Sequence, residues 1–292
     1  MKIEPAIPTG DIPHGGDPTV VSLSSIPPRF STLGPTLQSL LNQSLSAAEI
    51  RLNIPRRYRR FPDWDGCLPE VPTGVRIVRT DEDFGPASKV LPTVYDLEGQ
   101  AVDILFCDDD MLLASDWHAK FKADRILRPN AALVAVGQQI TDIPAVARPS
   151  NRLPRAQRRS KALAYRLWRA ATLTMHKPHP FIASGYVDIL CGFGGVMVRP
   201  EFLDAKVFDI PEVLWTVDDP WLSGHLERRG VPIWLNHRHR MPRDRQSSRQ
   251  EALFHLVVDG HNRGAADYAV IRHMRDRYGI WRTAVPKDTE QG

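Results

Sequence analysis

The chain has 292 residues, 42% of them apolar, with 38 basic against 34 acidic side chains and three cysteines. This composition supports a full hydrophobic core, and a net charge of only +4 excludes a nucleic-acid binder that works through bulk positive charge. Cys67, Cys107 and Cys191 form no CxxC pair, which excludes a disulfide framework and a cysteine zinc site. No run approaches the ~18 apolar residues of a membrane span. Residues 1–18 are rich in proline and glycine and read as a flexible leader, too polar for a secretory signal. A cytoplasmic address is expected.

Residues 19–24 predict a strand, 25–30 a proline-rich loop, and 32–43 a helix with leucines at 33, 37, 40 and 41 in amphipathic spacing. In an open α/β sheet the loop after the first strand lies at the carboxyl edge, where Arg29 could meet a phosphate or a base. Strands follow at 49–54 and 75–79, separated by a basic, aromatic loop from Arg56 to Trp64. Phe84-Gly85-Pro86-Ala87-Ser88-Lys89 starts a helix, because proline fits a first turn, and free amides there favour an anion. Lys89 holds a phosphate, pairs with acids, or is an ordinary surface lysine.

The next strand, 102–107, runs directly into Asp108, Asp109 and Asp110. Three adjacent carboxylates repel one another. Their cost is understandable if the strand delivers oxygen ligands to a divalent cation, and equally if they form a solvated acidic turn. Ser115 is placed to cap a helix running to about Leu127, and 131–136 is another apolar strand. The alternation of strands and helices predicts an α/β fold with a mostly parallel sheet flanked by helices.

Prolines at 144, 149, 154, 178 and 180 mark 141–180 as an insertion. Within it, 152–169 carries seven Lys/Arg and no acid, with Tyr165, Leu167 and Trp168 interleaved. The stretch suits an anionic lipid headgroup or a polyanionic acceptor; a solvated helix face is the commoner fate. Gly192-Phe193-Gly194-Gly195 then lets backbone approach a ligand before a strand resumes, without a GxGxxG or Walker pattern. Asp218 and Asp219 open a helix that ends before Gly230, one as an N-cap or as a general base. A last strand precedes His237 and His239, which at i, i+2 would point the same way. Two helical patterns, split near 260–264, occupy 247–281 of a C-terminal helical extension at 247–292.

Taken in order, the opening strand and loop, FGPASK, the apolar strand into DDD, GFGGVMVR and DDPWLSGHL resemble the nucleotide-sugar glycosyltransferases of GT-A fold, nearest to the bacterial family-2-like group. The resemblance spans roughly residues 19–235, within an expected GT-A domain at 19–246. It implies that Asp108 and Asp110 hold Mn²⁺ or Mg²⁺ on the donor diphosphate, with Asp109 beside them. The loop from Ser24 to Phe30, with Arg29, and Lys89 would face the nucleotide, the Gly192–Gly195 turn, with Gly194 and Gly195, would line the donor sugar and acceptor, and His237 or His239 would add a metal ligand. Asp219, with Asp218 second, would be the base of an inverting transfer.

Asp-Asp stands where Glu-Asp is frequent in that family, and no QxxRW-type motif follows, so transfer of a single sugar is expected rather than polymerisation. The implied donor is UDP- or GDP-linked and the acceptor a carbohydrate or glycolipid, as in polysaccharide or glycoconjugate synthesis. The basic stretch would allow peripheral contact with an anionic membrane. Competing readings are a nucleotidyltransferase acting on a sugar phosphate, and a non-catalytic carbohydrate- or polyanion-binding protein.

Overall fold

A computed structural model of the chain describes residues 17–159, 171, 179–244 and 263–283. Most of the leader and of the basic stretch, and the first part of the C-terminal extension, lie outside the described residues.

Eight strands build the main sheet: β1 (Thr19–Ser24), β2 (Glu49–Pro55), β3 (Val75–Thr80), β4 (Asp103–Phe106), β5 (Ala132–Val134), β6 (Gly185–Val187), β7 (Val196–Val198) and β8 (Ile233–Leu235). Their order is β6-β8-β5-β7-β4-β1-β2-β3. Neighbours are parallel except that β7 runs antiparallel to β4 and β5, and β6 antiparallel to β8. The helices are α1 (Gly34–Leu41), α2 (Leu91–Asp96), α3 (Trp117–Leu127), α4 (Asp218–Arg228) and α5 (Arg263–Tyr278). This is the α/β class expected, a mixed and mostly parallel sheet with flanking helices. Among the described residues no helix is long and apolar enough to cross a membrane.

Side chains alternate across a strand, so each central strand feeds two cores. Ile104 and Phe106 of β4 and Val196 and Val198 of β7 join the core under α2, α4 and α5. Leu105, Cys107 and Met197 join the other, under α1 and α3. Cys107 and Cys191 are buried and Cys67 is exposed, and both buried thiols pack in this second core. Asp103, the one charge within β4, is fully buried and held by Lys122 at 2.8 Å, Arg125 at 2.9 Å and Arg199 at 3.4 Å. That cluster anchors the amino end of β4.

Some expectations are corrected. Residues 27–32 form a 3₁₀ turn, and α1 begins only at Gly34, which places Pro35 in its first turn, where a missing amide is tolerated. Helix α3 starts at Trp117 rather than at a Ser115 cap; Asp116 sits at its N-cap and pairs with Lys120 one turn on at 2.9 Å. The described part of the 141–180 insertion contains 3₁₀ turns at Ala145–Ala147 and Ser150–Arg152 and a two-residue strand, Gln157–Arg158. Arg152 and Arg155 are not a solvated face: they are ion-paired to Glu227 and Asp188.

Candidate active site

The direction of β7 brings the sequence motifs together. Parallel strands β1 and β4 deliver Ser25 and the three aspartates at their carboxyl ends. Because β7 is antiparallel, with Val196 opposite Phe106, the turn before it reaches the same edge. Helix α4 then starts there, with Asp218 and Asp219 in its first turn.

At this edge Asp109 is buried and fully engaged. It accepts from Ser25 Oγ at 2.5 Å and Arg29 Nη1 at 2.7 Å, while Arg29 also lies 3.5 Å from Asp110. Tyr58, from the aromatic loop, donates to the Ser25 carbonyl at 2.7 Å. Burial alone would lower the Arg29 pKa, but the attraction of Asp109, Asp110 and Asp108 outweighs it and holds the group above its usual value. Burial raises the Asp109 pKa, against the pull of Arg29 and Ser25.

Lys89 links the two acidic motifs. Its side chain is 7% exposed, and Nζ lies 2.6 Å from Asp108 Oδ1 and 2.9 Å from Asp218 Oδ2. The sequence explains how a lysine is held inside. Residues Gly85–Lys89 form a 3₁₀ turn, and polar residues of β1 and β2 grip its backbone: Ser22 Oγ donates to the Lys89 carbonyl at 2.6 Å and Asn53 Nδ2 to that of Ser88 at 3.1 Å. Gly85 adopts φ +58°, and a Cβ there would lie 2.7 Å from the Trp215 carbonyl, so only glycine fits. Burial works against the ammonium, but Asp108, Asp218 and Asp219 together hold its pKa well above the ordinary value.

Asp219 accepts from the Gly192 amide at 3.0 Å. Its pKa is pushed up to about 7, first by burial and then by Asp218, with Lys89 and the Gly192 amide acting against the rise. A carboxyl poised there is suited to take a proton at neutral pH. Asp219 also lines a groove of about 890 Å³, bordered by Gln138, Cys191, Phe193 and, from α5, Tyr268. The C-terminal helix is therefore a wall of the site; Met274 seats it against Gly224 of α4, where a Cβ would come within 2.7 Å.

The structure distributes the remaining predicted residues differently. Ser24 ends β1 half-buried, and the contact with Asp109 belongs to Ser25. Gly194 and Gly195 serve packing: Trp117 Nε1 donates to the Gly194 carbonyl at 3.1 Å, and a Cβ on Gly195, at φ +99°, would meet the same indole at 2.5 Å. Gly192 is the glycine that touches the site, since its Cβ would lie 2.3 Å from Lys89 Nζ. His237 and His239 lie in a turn rather than on a strand end. His239 Nε2 donates to Asp124 at 2.8 Å and His237 Nδ1 lies 2.8 Å from Ser184 Oγ, so the two rings have separate partners. Ser25 and Gly192 lie within the loop and the turn that the sequence pattern marks, whereas the Tyr58 contact is one that residue patterns alone do not single out.

Among the described residues no group of three or more His, Cys, Asp or Glu side chains is arranged to hold a metal. The triple aspartate nonetheless suits a hard cation that keeps water and phosphate oxygens as its other ligands, for which one or two carboxylates suffice. Asp110 and Asp108 are the residues that would hold it, Asp108 by exchanging its contact with Lys89.

No protein-family profile matches the sequence, and no curated protein matches it. Among solved structures the chain is similar to S. aureus TarS 1–349 in complex with UDP-GlcNAc, at 14% identity and TM-score 0.46, covering 92% of this chain and 68% of that one. It is similar to a second structure of S. aureus TarS 1–349 at 12% identity and TM-score 0.43, covering 92% and 67%. Against a longer TarS structure the figures are 13% and 0.45, with 92% of this chain but 40% of that one covered. Likeness at this level leaves the chemistry to be argued from the site itself.

Proposed function

We propose that the chain is a glycosyltransferase of GT-A type that moves a single sugar from a nucleotide-diphosphate donor to an acceptor hydroxyl with inversion. The observation that carries this reading is the Lys89 bridge, which ties Asp108 to Asp218 and so unites the triple aspartate with the acidic pair. Two carboxylate motifs with different surroundings then divide the work. Asp108, Asp109 and Asp110, beside Arg29 and Lys89, form the mixed-charge surface on which a diphosphate would sit. Asp219 faces the groove that would admit the acceptor.

In the reaction the acceptor oxygen forms a bond to the anomeric carbon as the bond from that carbon to the diphosphate oxygen breaks. Asp219 takes the hydroxyl proton and the diphosphate leaves with the electron pair. Arg29 and Lys89 are placed to meet the charge that develops on the leaving group. Mn²⁺ or Mg²⁺, when bound through Asp110 and Asp108, would neutralise part of the same charge.

Thermal melting with nucleotides tests the donor half. UDP or GDP with Mn²⁺ should stabilise the protein, by about 2.7 kcal/mol at a hundredfold excess over Kd, and Asp110→Ala should lose most of that gain. Stabilisation by nucleoside triphosphates alone would favour a nucleotidyltransferase; no response to any nucleotide would end both readings.

A further inference from the structure

Beyond the groove at Asp219 lies a second hollow of about 440 Å³, and the two share Gln139, Ile140 and Thr141 along their linings. Their linings differ in the charged groups they carry. The described residues of the first include Asp142, Asp219 and Asp267 and no lysine or arginine. Asp142 is taken up by Arg275, whose two terminal nitrogens lie 2.9 and 2.6 Å from it. The second hollow is lined by Arg148 and Arg155, which both donate to one oxygen, Asp188 Oδ1. The other Asp188 oxygen accepts from the Ile140 amide at 2.9 Å. Arg152, behind them, reaches Glu227 at 3.3 Å.

Three guanidiniums thus face two carboxylates, and all three are largely withdrawn from water, with side chains 14%, 7% and 17% exposed for Arg148, Arg152 and Arg155. A guanidinium cannot shed its proton in a protein, so the surplus positive charge persists. A clamp that only fixed the 140–155 segment to Asp188 would need one arginine. A second one on the same oxygen leaves positive charge beside the hollow that an entering anion would meet.

We infer that Arg148 and Arg155 form an anion subsite for a phosphate group carried by the acceptor. Resting on the reading of Asp219 as the base, the acceptor has its nucleophilic hydroxyl in the carboxylate-lined groove and its phosphate across the Gln139, Ile140 and Thr141 ridge. The arginines capture the anion at the far end, so an acceptor phosphate fixes the direction of binding. A soluble phosphate ester and a lipid-linked phosphate share this chemistry.

The test is calorimetric titration of the full chain, saturated with UDP and free of divalent cations, with inorganic phosphate. Saturable binding is expected, weakened at least tenfold in Arg155→Gln. Since that change could also loosen the segment, Leu153→Glu is measured beside it. Leu153 is 64% exposed and lines the hollow, so its replacement should leave the melting temperature near that of the unaltered protein and still weaken phosphate at least fivefold. Sedimentation with phosphatidylcholine vesicles, with and without phosphatidate, separates the sources: binding that requires phosphatidate and is lost in Leu153→Glu assigns the site to a lipid phosphate. Binding of neither probe, or equal binding by the unaltered protein and Leu153→Glu, overturns the subsite. Absent UDP stabilisation in a separate melt with Mn²⁺, with phosphate binding intact, would instead overturn the transferase reading and with it the assignment of the phosphate to an acceptor, leaving the anion site itself standing.

Discussion

In the proposed reaction Asp219 carries the heaviest chemical load of any single residue. Burial and its neighbour Asp218 raise its pKa to about 7, and only the ionised form can accept a proton. Turnover should therefore fall as pH drops below about 7, level off above it, and lose this inflection in Asp219→Asn; a pH profile of kcat/KM checks this. An inflection near the usual carboxylate range, around pH 4, would place the base elsewhere. The acidic pair itself was legible from sequence, because Asp-Asp-Pro opening a helix is a short-range pattern. Lys89 was legible only as one of three fates. A 3₁₀ turn advances each residue further round its axis than an α-helix, so over the four steps from Gly85 the side chain of Lys89 turns roughly 80° away from its α-helical direction. Whether that direction is inward depends on Ser22 and Asn53, which lie 67 and 36 positions back. The slip from Ser24 to Ser25 has a simpler cause: a strand end is uncertain by a residue or two, and one residue reverses the face.

The 192–195 turn is the element on which the site's geometry depends. Its glycine content was visible in the sequence, but not which glycine serves which purpose, because that is set by Trp117, Lys89 and the antiparallel direction of β7, all remote in the chain. Gly192 has no backbone strain to relieve, so Gly192→Ala acts through space alone: the new methyl would lie 2.3 Å from Lys89 Nζ and 3.2 Å from Asp219 Oδ1. Lys89 is the flexible partner and would move. The expected cost is about 1–2 kcal/mol of stability, measured by denaturant unfolding, with a fall in turnover of more than tenfold as Lys89 leaves Asp108 or Asp218. Unchanged turnover would show that the Lys89 bridge is dispensable. The two histidines illustrate the opposite case. A spacing of i, i+2 implies a shared direction only on a strand, and Asn236 ends the extended segment by binding Asp124 at 2.7 Å.

At the scale of the whole molecule the sheet separates two tasks. Its carboxyl edge gathers the acids of the candidate site, while the amino end of β4 is fixed by the buried Asp103 cluster. Removing the charge in Asp103→Asn would leave Arg125 and its neighbours uncompensated and should cost about 3–5 kcal/mol, read from the urea midpoint, while nucleotide stabilisation of the folded fraction persists. The alternating β/α pattern made the fold class readable, since period-2 strands and leucine-spaced helices are local signals. Sheet order and the two antiparallel strands were not, because pairing joins residues such as Val196 and Phe106 that no local pattern relates. The wall supplied by α5 was equally hidden; it depends on Met274 finding the space left by Gly224. The most direct measurement is release of nucleoside diphosphate from a panel of UDP- and GDP-linked sugars with Mn²⁺ present, comparing the unaltered chain with Asp219→Asn. Release from at least one donor is expected, reduced about 10²–10⁴-fold in the variant with nucleotide affinity within threefold. No release from any donor, or equal release by both proteins, would contradict the account.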